Sequence, residues 1–452
     1  MNDTIAAIAT PPGRGGVGIV RVSGSKSRDI CLNITSKDPK PRVATFTPFL
    51  DASGAPIDQG LSLYFSGPKS FTGEDVLELH AHGGPVVLDM LMRRVLELGA
   101  RIARAGEFSE RAFLNNKIDL LQAEAVAELI NANTEQAAIA AVRSLQGDFS
   151  QKINALVEGL IKLRLYVEAA IDFPDEEIDF LSDQHVHNNL KNLLNEVTNI
   201  HAQAKQGVLL TEGINAVIIG QPNVGKSTLL NNLTGQETAI VTPIAGTTRD
   251  VIRATVNLDG VMLNIIDTAG LRITDDVVEQ EGIKRALHAL ELADLILLVF
   301  DAAQNEVCDP WGIYPEVKDK IKPHAQVLVI NNKIDKIGVA PYVQDKEKYS
   351  VIGISAQTGV GINLMRDHIK NVVGIKHDAE SGSFLARRRH LDALSRAQKS
   401  LEIGQQQLQK HLAGELLADE LKQAQLALSE ITGEFSSDDL LGRIFSEFCI
   451  GK

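Results

Sequence analysis

The hydrophobic rhythm of the chain changes three times along its length. From residue 4 to about 113, apolar and polar positions alternate with a period of two. Ile19-Val20-Arg21-Val22, Leu61-Ser62-Leu63-Tyr64-Phe65 and Val76-Leu77-Glu78-Leu79-His80 carry the pattern, and glycine and proline punctuate it, which predicts strands and turns. Beyond Asp119 proline almost vanishes until Pro174, and Ile153, Leu156, Leu160, Leu163 and Val167 recur at alternating spacings of three and four, the stripe of one long packed helix. From Ile214 to about Val373 short solid apolar runs alternate with helical segments, which predicts parallel strands fed by crossover helices. Within this stretch Ile252–Leu258 and Val261–Asp267 flank Asp259-Gly260, a type I′ turn signal that pairs the two runs as an antiparallel hairpin. Helical composition then resumes over residues 385–432, with Leu391, Leu394, Ala397 and Leu401 on one stripe. The pattern predicts a helical domain split by an inserted α/β domain and preceded by a strand-rich domain, with boundaries at 1–118, 119–213, 214–375 and 376–452.

The candidate chemistry sits where the apolar runs end. Gly220-Gln221-Pro222-Asn223-Val224-Gly225-Lys226-Ser227 follows Ala216-Val217-Ile218-Ile219 and opens a helical stretch, the strand, phosphate-loop and helix order of a nucleoside triphosphatase. The glycines let backbone N–H groups close around a β-phosphate, Lys226 bridges β and γ, and Ser227, followed by Thr228, supplies a magnesium ligand. Asp267-Thr268-Ala269-Gly270 ends the run Leu263-Asn264-Ile265-Ile266, placing a carboxylate where it can hold a magnesium-bound water and a glycine amide near the γ-phosphate. Asn332-Lys333-Ile334-Asp335 follows Val327-Leu328-Val329-Ile330, and its aspartate can accept both the ring N–H and the exocyclic amine that guanine presents and adenine does not. Ser355-Ala356-Gln357 completes the base pocket after Val351-Ile352-Gly353-Ile354. Together, and in this order, the segments specify GTP.

Thr242-Pro243-Ile244-Ala245-Gly246-Thr247-Thr248-Arg249-Asp250 lies between the phosphate-loop helix and the hairpin, where a loop that senses the γ-phosphate belongs, and Thr248 is the expected second magnesium ligand. Leu271 stands where Ras-like proteins carry the glutamine that orients the attacking water. That role passes to Asp275, Asp276, Glu279 or Glu281, among which spacing does not choose.

Length and charge narrow the partners. A chain of 452 residues exceeds a single core, so two or three domains are expected. A net charge of −13 argues against bulk nucleic-acid binding by phosphate neutralisation, and any RNA contact must come from a local patch or a partner protein. Cys31, Cys308 and Cys449 form neither a CxxC pair nor an even framework, which suits a reducing cytosol. There is no basic leader, no arginine-rich transit segment and no apolar run near the roughly 18 residues that span a bilayer, so a cytoplasmic location without a membrane is expected.

Other motifs read more plainly. Gly13-Arg14-Gly15-Gly16-Val17-Gly18 fits a dinucleotide fingerprint but leads into a strand where that fingerprint needs a helix, so a glycine-rich hairpin or ligand-lining loop is expected. Asp172, Asp175, Glu176, Glu177 and Asp179 around Pro174 read as a helix end with a solvated acidic turn. Arg387-Arg388-Arg389-His390 spreads around a helix, which favours a solvated face or salt bridges between helices over an RNA patch. His80 and His82 share a strand face without a third ligand, which argues against a metal.

Segments outside the GTP motifs extend the reading over the whole chain. Ala9-Thr10-Pro11-Pro12-Gly13-Arg14-Gly15, Arg21-Val22-Ser23-Gly24, Ser70-Phe71-Thr72-Gly73-Glu74-Asp75, Gly106-Glu107-Phe108-Ser109-Glu110-Arg111-Ala112-Phe113 and the terminal Phe448-Cys449-Ile450-Gly451-Lys452 closely resemble the MnmE (TrmE) family of tRNA modification GTPases. The resemblance implies a Ras-like P-loop GTPase domain inserted into a helical domain and preceded by an α+β folate-binding domain. That first domain would bind 5-formyl- or 5,10-methylene-tetrahydrofolate through Arg21, Glu78, Lys117 and Lys452 and would pair two copies into a homodimer. It also implies potassium held by Asn223, Thr242, Ile244 and Thr247, water orientation by Glu279, a requirement for Cys449, and G domains that meet in the GTP state. The implied reaction modifies carbon 5 of the tRNA wobble uridine together with MnmG, which carries FAD.

Overall fold

The computed structural model describes residues 3–172, 184–235, 252–267, 289–291, 293–304, 310–313, 318, 320–322, 325–375, 384–411, 414–433, 442, 444–446, 448 and 451. The chain divides into two compact units: Met1–Asn131 with Ser144–Val197 and Ala393–Lys452, and Ala132–Arg143 with Thr198–Asp392.

The first unit opens with strands β1 (Ile5–Ile8), β2 (Gly15–Ser23), β3 (Thr45–Leu50), β4 (Pro56–Phe65), β5 (Val76–Gly83) and β6 (Arg101–Ile102), in the sheet order β3-β4-β5-β2-β1-β6. Only the β1–β6 pair is parallel. The period of two sorts β5 into an inward set, Leu77, Leu79 and Ala81, and a set on the other face, Glu78, His80 and His82. The inward set packs with Val20 and Val22 against Ile30 and Ile34 of α1 (Ser27–Thr35) and Leu88, Leu91 and Val95 of α2 (Pro85–Glu97). These two helices and α3 (Glu107–Leu114) interrupt the stretch that the alternation alone marks as strands and turns. Pro85 sits in the first turn of α2, where its missing N–H costs nothing. The Gly13–Gly18 run enters an antiparallel strand rather than a helix, in keeping with a hairpin rather than a dinucleotide site.

Helices α4 (Leu120–Asn131), α5 (Glu135–Leu145), α6 (Asp148–Asp172) and α7 (Gln184–Glu212) follow. The stripe Ile153, Leu156, Leu160, Leu163 and Val167 is buried throughout, and α6 packs on the helix Gly414–Thr432 through Leu417, Leu421, Ala424 and Leu428 on the latter's own buried stripe.

The second unit holds a seven-stranded sheet in the order β12-β13-β11-β10-β7-β9-β8. Its strands are β7 (Ile214–Gly220), β8 (Ile252–Leu258), β9 (Val261–Asp267), β10 (Leu295–Asp301), β11 (Gln326–Asn332), β12 (Tyr342–Asp345) and β13 (Ser350–Gly353). The pairs among β7, β9, β10, β11 and β13 are parallel, and β8 and β12 run antiparallel at the two edges. Asp259 and Gly260 both have positive φ, 50° and 94°, as a type I′ turn requires. β12 escapes the sequence pattern because Tyr342-Val343-Gln344-Asp345 is too short and too polar to read as a strand. No helix among the described residues is long and apolar enough to cross a membrane.

Candidate nucleotide-binding site

The parallel strands β7, β10 and β11 end in register, which brings three loops together: Val299 pairs with Gly220, and Asp301 pairs with Asn332. The phosphate-loop segment follows β7, and α8 (Lys226–Gly235) begins at its lysine. Val224 is buried and anchors the loop, while Asn223, Ser227 and Thr228 are exposed. Lys226 Nζ donates to the carbonyls of Gly220 (2.7 Å) and Gln221 (2.9 Å), which holds the ammonium against the loop's own backbone.

Asn332 organises the other side. It is 2 % exposed, its Nδ2 donates to the Val224 carbonyl at 2.8 Å, and its Oδ1 accepts from the backbone N–H groups of Lys333 and Ala356, both at 2.8 Å. One side-chain amide therefore ties the phosphate loop, the Asn332–Asp335 segment and the Ser355–Gln357 segment. Gly225 is required by this contact as well as by its φ of 99°, because a Cβ there would strike the Asn332 amide. Lys333 adds a parallel link, its Nζ donating to the Asn223 carbonyl at 2.7 Å and to Asp301 Oδ2 at 2.7 Å. Asn232 of α8 donates to the Ala356 carbonyl at 2.6 Å, closing the circuit. Ser355 and Ala356 are buried, whereas Asp335 and Gln357 are exposed.

The structure thus brings together Asn223, Val224, Gly225, Lys226, Asn332, Lys333 and Ala356, with Ser227 and Thr228 opening α8 beside them. Asp267 closes β9 with its backbone paired to Ile218 of β7. Thr242, Pro243, Ile244, Ala245, Gly246, Thr247, Thr248, Thr268, Ala269, Gly270, Asp275, Asp276, Glu279 and Glu281 lie outside the described residues, as do Cys308, Cys449 and Lys452.

In the first unit, Arg21 of β2 and Glu78 of β5 are register partners, with Arg21 Nε and Nη2 each 2.9 Å from Glu78 Oε1. His80 Nε2 lies 3.1 Å from Glu78 Oε2. Each carboxylate oxygen has one such partner, which leaves acceptor capacity on both. The Arg21 guanidinium also lies over the Phe108 ring and donates to the Gly451 carbonyl at 3.4 Å, which puts Gly451 at this face. Lys117 is exposed just after α3, and no hydrogen bond links it to Arg21 or Glu78 among the described residues. His82 pairs with Asp58, and no metal-type cluster of His, Cys, Asp and Glu occurs among the described residues. Arg388 pairs with Glu212 and Asp294, and His390 is buried, so the basic run contributes at least one salt bridge between elements.

The model described as MnmE helical domain matches residues 120–449, and the one described as GTP-binding protein TrmE N-terminus matches residues 4–117. The chain belongs to the MnmE family. The tRNA modification GTPase MnmE of Coxiella burnetii (strain Dugway 5J108-111) is 57% identical over 455 residues, covering 100% of this chain and 99% of that protein. The MnmE protein of Shewanella sp. (strain MR-7) is 55% identical over 451 residues, again covering 100% and 99%. A solved structure of Aquifex aeolicus Era bound to GDP.AlF4- matches 41% of this chain and 66% of that one at 31% identity, with a TM-score of 0.29, so MnmE membership rests on the sequence matches.

Two groups in this MnmE chain escape the motif reading. Asp301 closes β10 and holds Lys333; its signal was the apolar run Leu295-Ile296-Leu297-Leu298-Val299-Phe300 ending on a carboxylate, the same strand-tip signature as Asp267. Arg111, inside a family-type segment, is 1 % exposed and bonds to Glu74, Glu107 and Asp3. The Glu107–Arg111 spacing of four is a local helical pair, but Glu74 and Asp3, 37 and 108 positions away, leave no local mark.

Proposed function

We propose that this chain is a GTP hydrolase that, with the FAD-containing partner MnmG, adds an aminomethyl or carboxymethylaminomethyl group at carbon 5 of the wobble uridine of certain tRNAs. A tetrahydrofolate one-carbon unit feeds the reaction. Hydrolysis is stimulated by potassium and coupled to G-domain dimerisation within a cytoplasmic homodimer. The observation that carries this reading is the Asn332–Lys333 clamp on the phosphate loop, in a chain that matches tRNA modification GTPases from end to end.

Lys226 neutralises the phosphate oxygens, and the N–H groups of residues 223–228 bind them. Asp335 reads the guanine edge, and Ser355, Ala356 and Gln357 wall the base. Ser227 and Thr248 would hold magnesium with Asp267 holding a magnesium-bound water, and Asn223, Thr242, Ile244 and Thr247 would hold potassium; the donors are hard oxygens and carbonyls, which suit both ions. When bound, the two cations supply positive charge to the phosphate oxygens. Glu279 orients the attacking water, replacing the glutamine absent at Leu271. The pterin amine and ring N–H have matching acceptors on the two Glu78 oxygens, and Arg21, Lys117 and Lys452 supply cations for the anionic tail. Cys449 serves the modification step.

The test is GTP turnover by the purified full-length protein. Potassium in place of sodium should raise the rate by about tenfold or more, since preorganised charge at a phosphoryl group is commonly worth that much, and Glu279→Ala should keep GTP affinity while losing turnover. A flat cation response would remove the potassium site, and a deletion strain with normal tRNA wobble nucleosides by mass spectrometry would remove the proposed role in tRNA.

A further inference from the structure

Lys333 is an unusual anchor. It has φ of 66°, in the left-handed region, and its flexible four-carbon stem ends in a half-buried ammonium. A long side chain in this position would ordinarily sample several rotamers, yet here its Nζ meets the Asn223 carbonyl at 2.7 Å. The missing constraint is Asp301. Its carboxylate side chain is 6% exposed; Oδ1 accepts from the Ala303 N–H at 3.1 Å, and Oδ2 accepts from Lys333 Nζ at 2.7 Å. The strand below it fixes where that carboxylate stands. Every residue of β10 is buried, Asp301 is the register partner of Asn332, and the Ala302 N–H donates to the Asn332 carbonyl at 2.8 Å. The Lys333 ammonium beside it holds the Asp301 carboxyl below its ordinary range.

We propose that Asp301 is a positioning residue for guanine-nucleotide binding, acting solely through Lys333: the strand-fixed carboxylate aims the ammonium at the Asn223 carbonyl and so sets the spacing between the base-side segment and the phosphate loop. This rests on the GTP reading above and adds a residue outside its motifs. Among the described residues the Asp301 side chain reaches the phosphate loop and the base-side segment only through Lys333, so the effect of changing it must disappear when the lysine is gone.

The experiment measures binding of a fluorescent methylanthraniloyl-GDP probe to the full-length wild type, Asp301→Asn, Asp301→Ser, Lys333→Met and the double variant Asp301→Asn with Lys333→Met. Both Asp301 substitutions keep an oxygen acceptor for the Ala303 N–H, so either one serves if the other does not fold. Loss of a hydrogen bond between charged groups predicts affinity weaker by about tenfold or more in each Asp301 variant. GTP turnover at saturating substrate should stay within about threefold of wild type, and the double variant should bind no more weakly than Lys333→Met alone. Unchanged affinity in the Asp301 variants, or losses that multiply in the double variant, would overturn the assignment. A wild type that fails to bind the probe would instead overturn the GTP reading itself.

Discussion

Arg111 carries a full charge at 1 % exposure, and such a charge persists only where most of its donors are spoken for; both terminal nitrogens are, while Nε is buried with no hydrogen-bond partner among the described residues. Nη1 donates to both Glu74 oxygens (2.9 and 3.1 Å) and to the Asp3 carbonyl (2.9 Å), while Nη2 donates to Asp3 Oδ1 (2.8 Å) and Glu107 Oε1 (3.2 Å). Glu107, with a fully buried side chain, is shared with Arg101 and with the Arg104 N–H. Removing one member of such a cluster leaves the others desolvated and unmatched, so Arg111→Met should destabilise the protein by about 3–5 kcal/mol, read as a fall in thermal midpoint. Unchanged melting would mean that the cluster relaxes around the methionine. The same cluster sets an acid limit. Burial pushes the Glu107 carboxyl up, but the Arg101 hydrogen bond, the Arg104 N–H and Arg111 outweigh it and hold the group down to about 2. A depressed folded value means the stabilisation is complete above the unfolded carboxyl's range near 4.5 and drains away as pH falls towards 2, amounting to about 3 kcal/mol in all. Acid unfolding should therefore begin below pH 4.5 and shift upward in Arg101→Ala, a displacement that circular dichroism against pH would detect or exclude.

Elements show where sequence suffices. The α6 stripe is legible because each of its five apolar residues is buried and recurs at helical spacing, so periodicity and packing agree. On the same helix Leu165 is 55% exposed, which gives an internal control. Leu160→Ala should cost about 2–5 kcal/mol through lost contact and cavity formation, whereas Leu165→Ala should stay within about 0.5 kcal/mol; equal effects in denaturant titration would contradict the packing described for α6 and Gly414–Thr432. The hairpin turn was equally legible, since Asp-Gly between two apolar runs needs the positive φ values that Asp259 and Gly260 adopt. What sequence conceals is anything built from long-range partners. Asp301, Arg111 and the second face of β5 take their roles from residues 32, 37 and 57 positions away, and a run of letters holds no record of that proximity. Helices α1 and α2 were hidden differently, because nine and thirteen residues between strands give too few turns for the helical period to outweigh the surrounding alternation.

Across the whole molecule the two sets of candidate residues fall in different compact units: Lys226, Asn332, Lys333 and Ala356 in the second, and Arg21, Glu78, Lys117 and Gly451 in the first. Their failures should then separate. Gly451 has φ of 97°, and a Cβ there would lie 2.6 Å from the Ile8 carbonyl oxygen. That oxygen belongs to the backbone of β1, which is pinned to β2 and cannot give way as a side chain could. Gly451→Val must therefore lift residue 451 off β1 and withdraw the carbonyl that accepts from Arg21. A glycine at positive φ with no room for a Cβ has no conservative replacement, so the local change should be large while the core of each unit stays intact. The expected result is binding of 5-formyl-tetrahydrofolate weakened by about tenfold, the equivalent of about 1.4 kcal/mol, with GTP turnover unchanged. Lys226→Ala should do the reverse, abolishing turnover and leaving folate affinity intact. Calorimetry for folate and phosphate release for GTP read the two independently. If Gly451→Val lost both activities together without any fall in thermal midpoint, the assignment of the two chemistries to separate units would have to be abandoned.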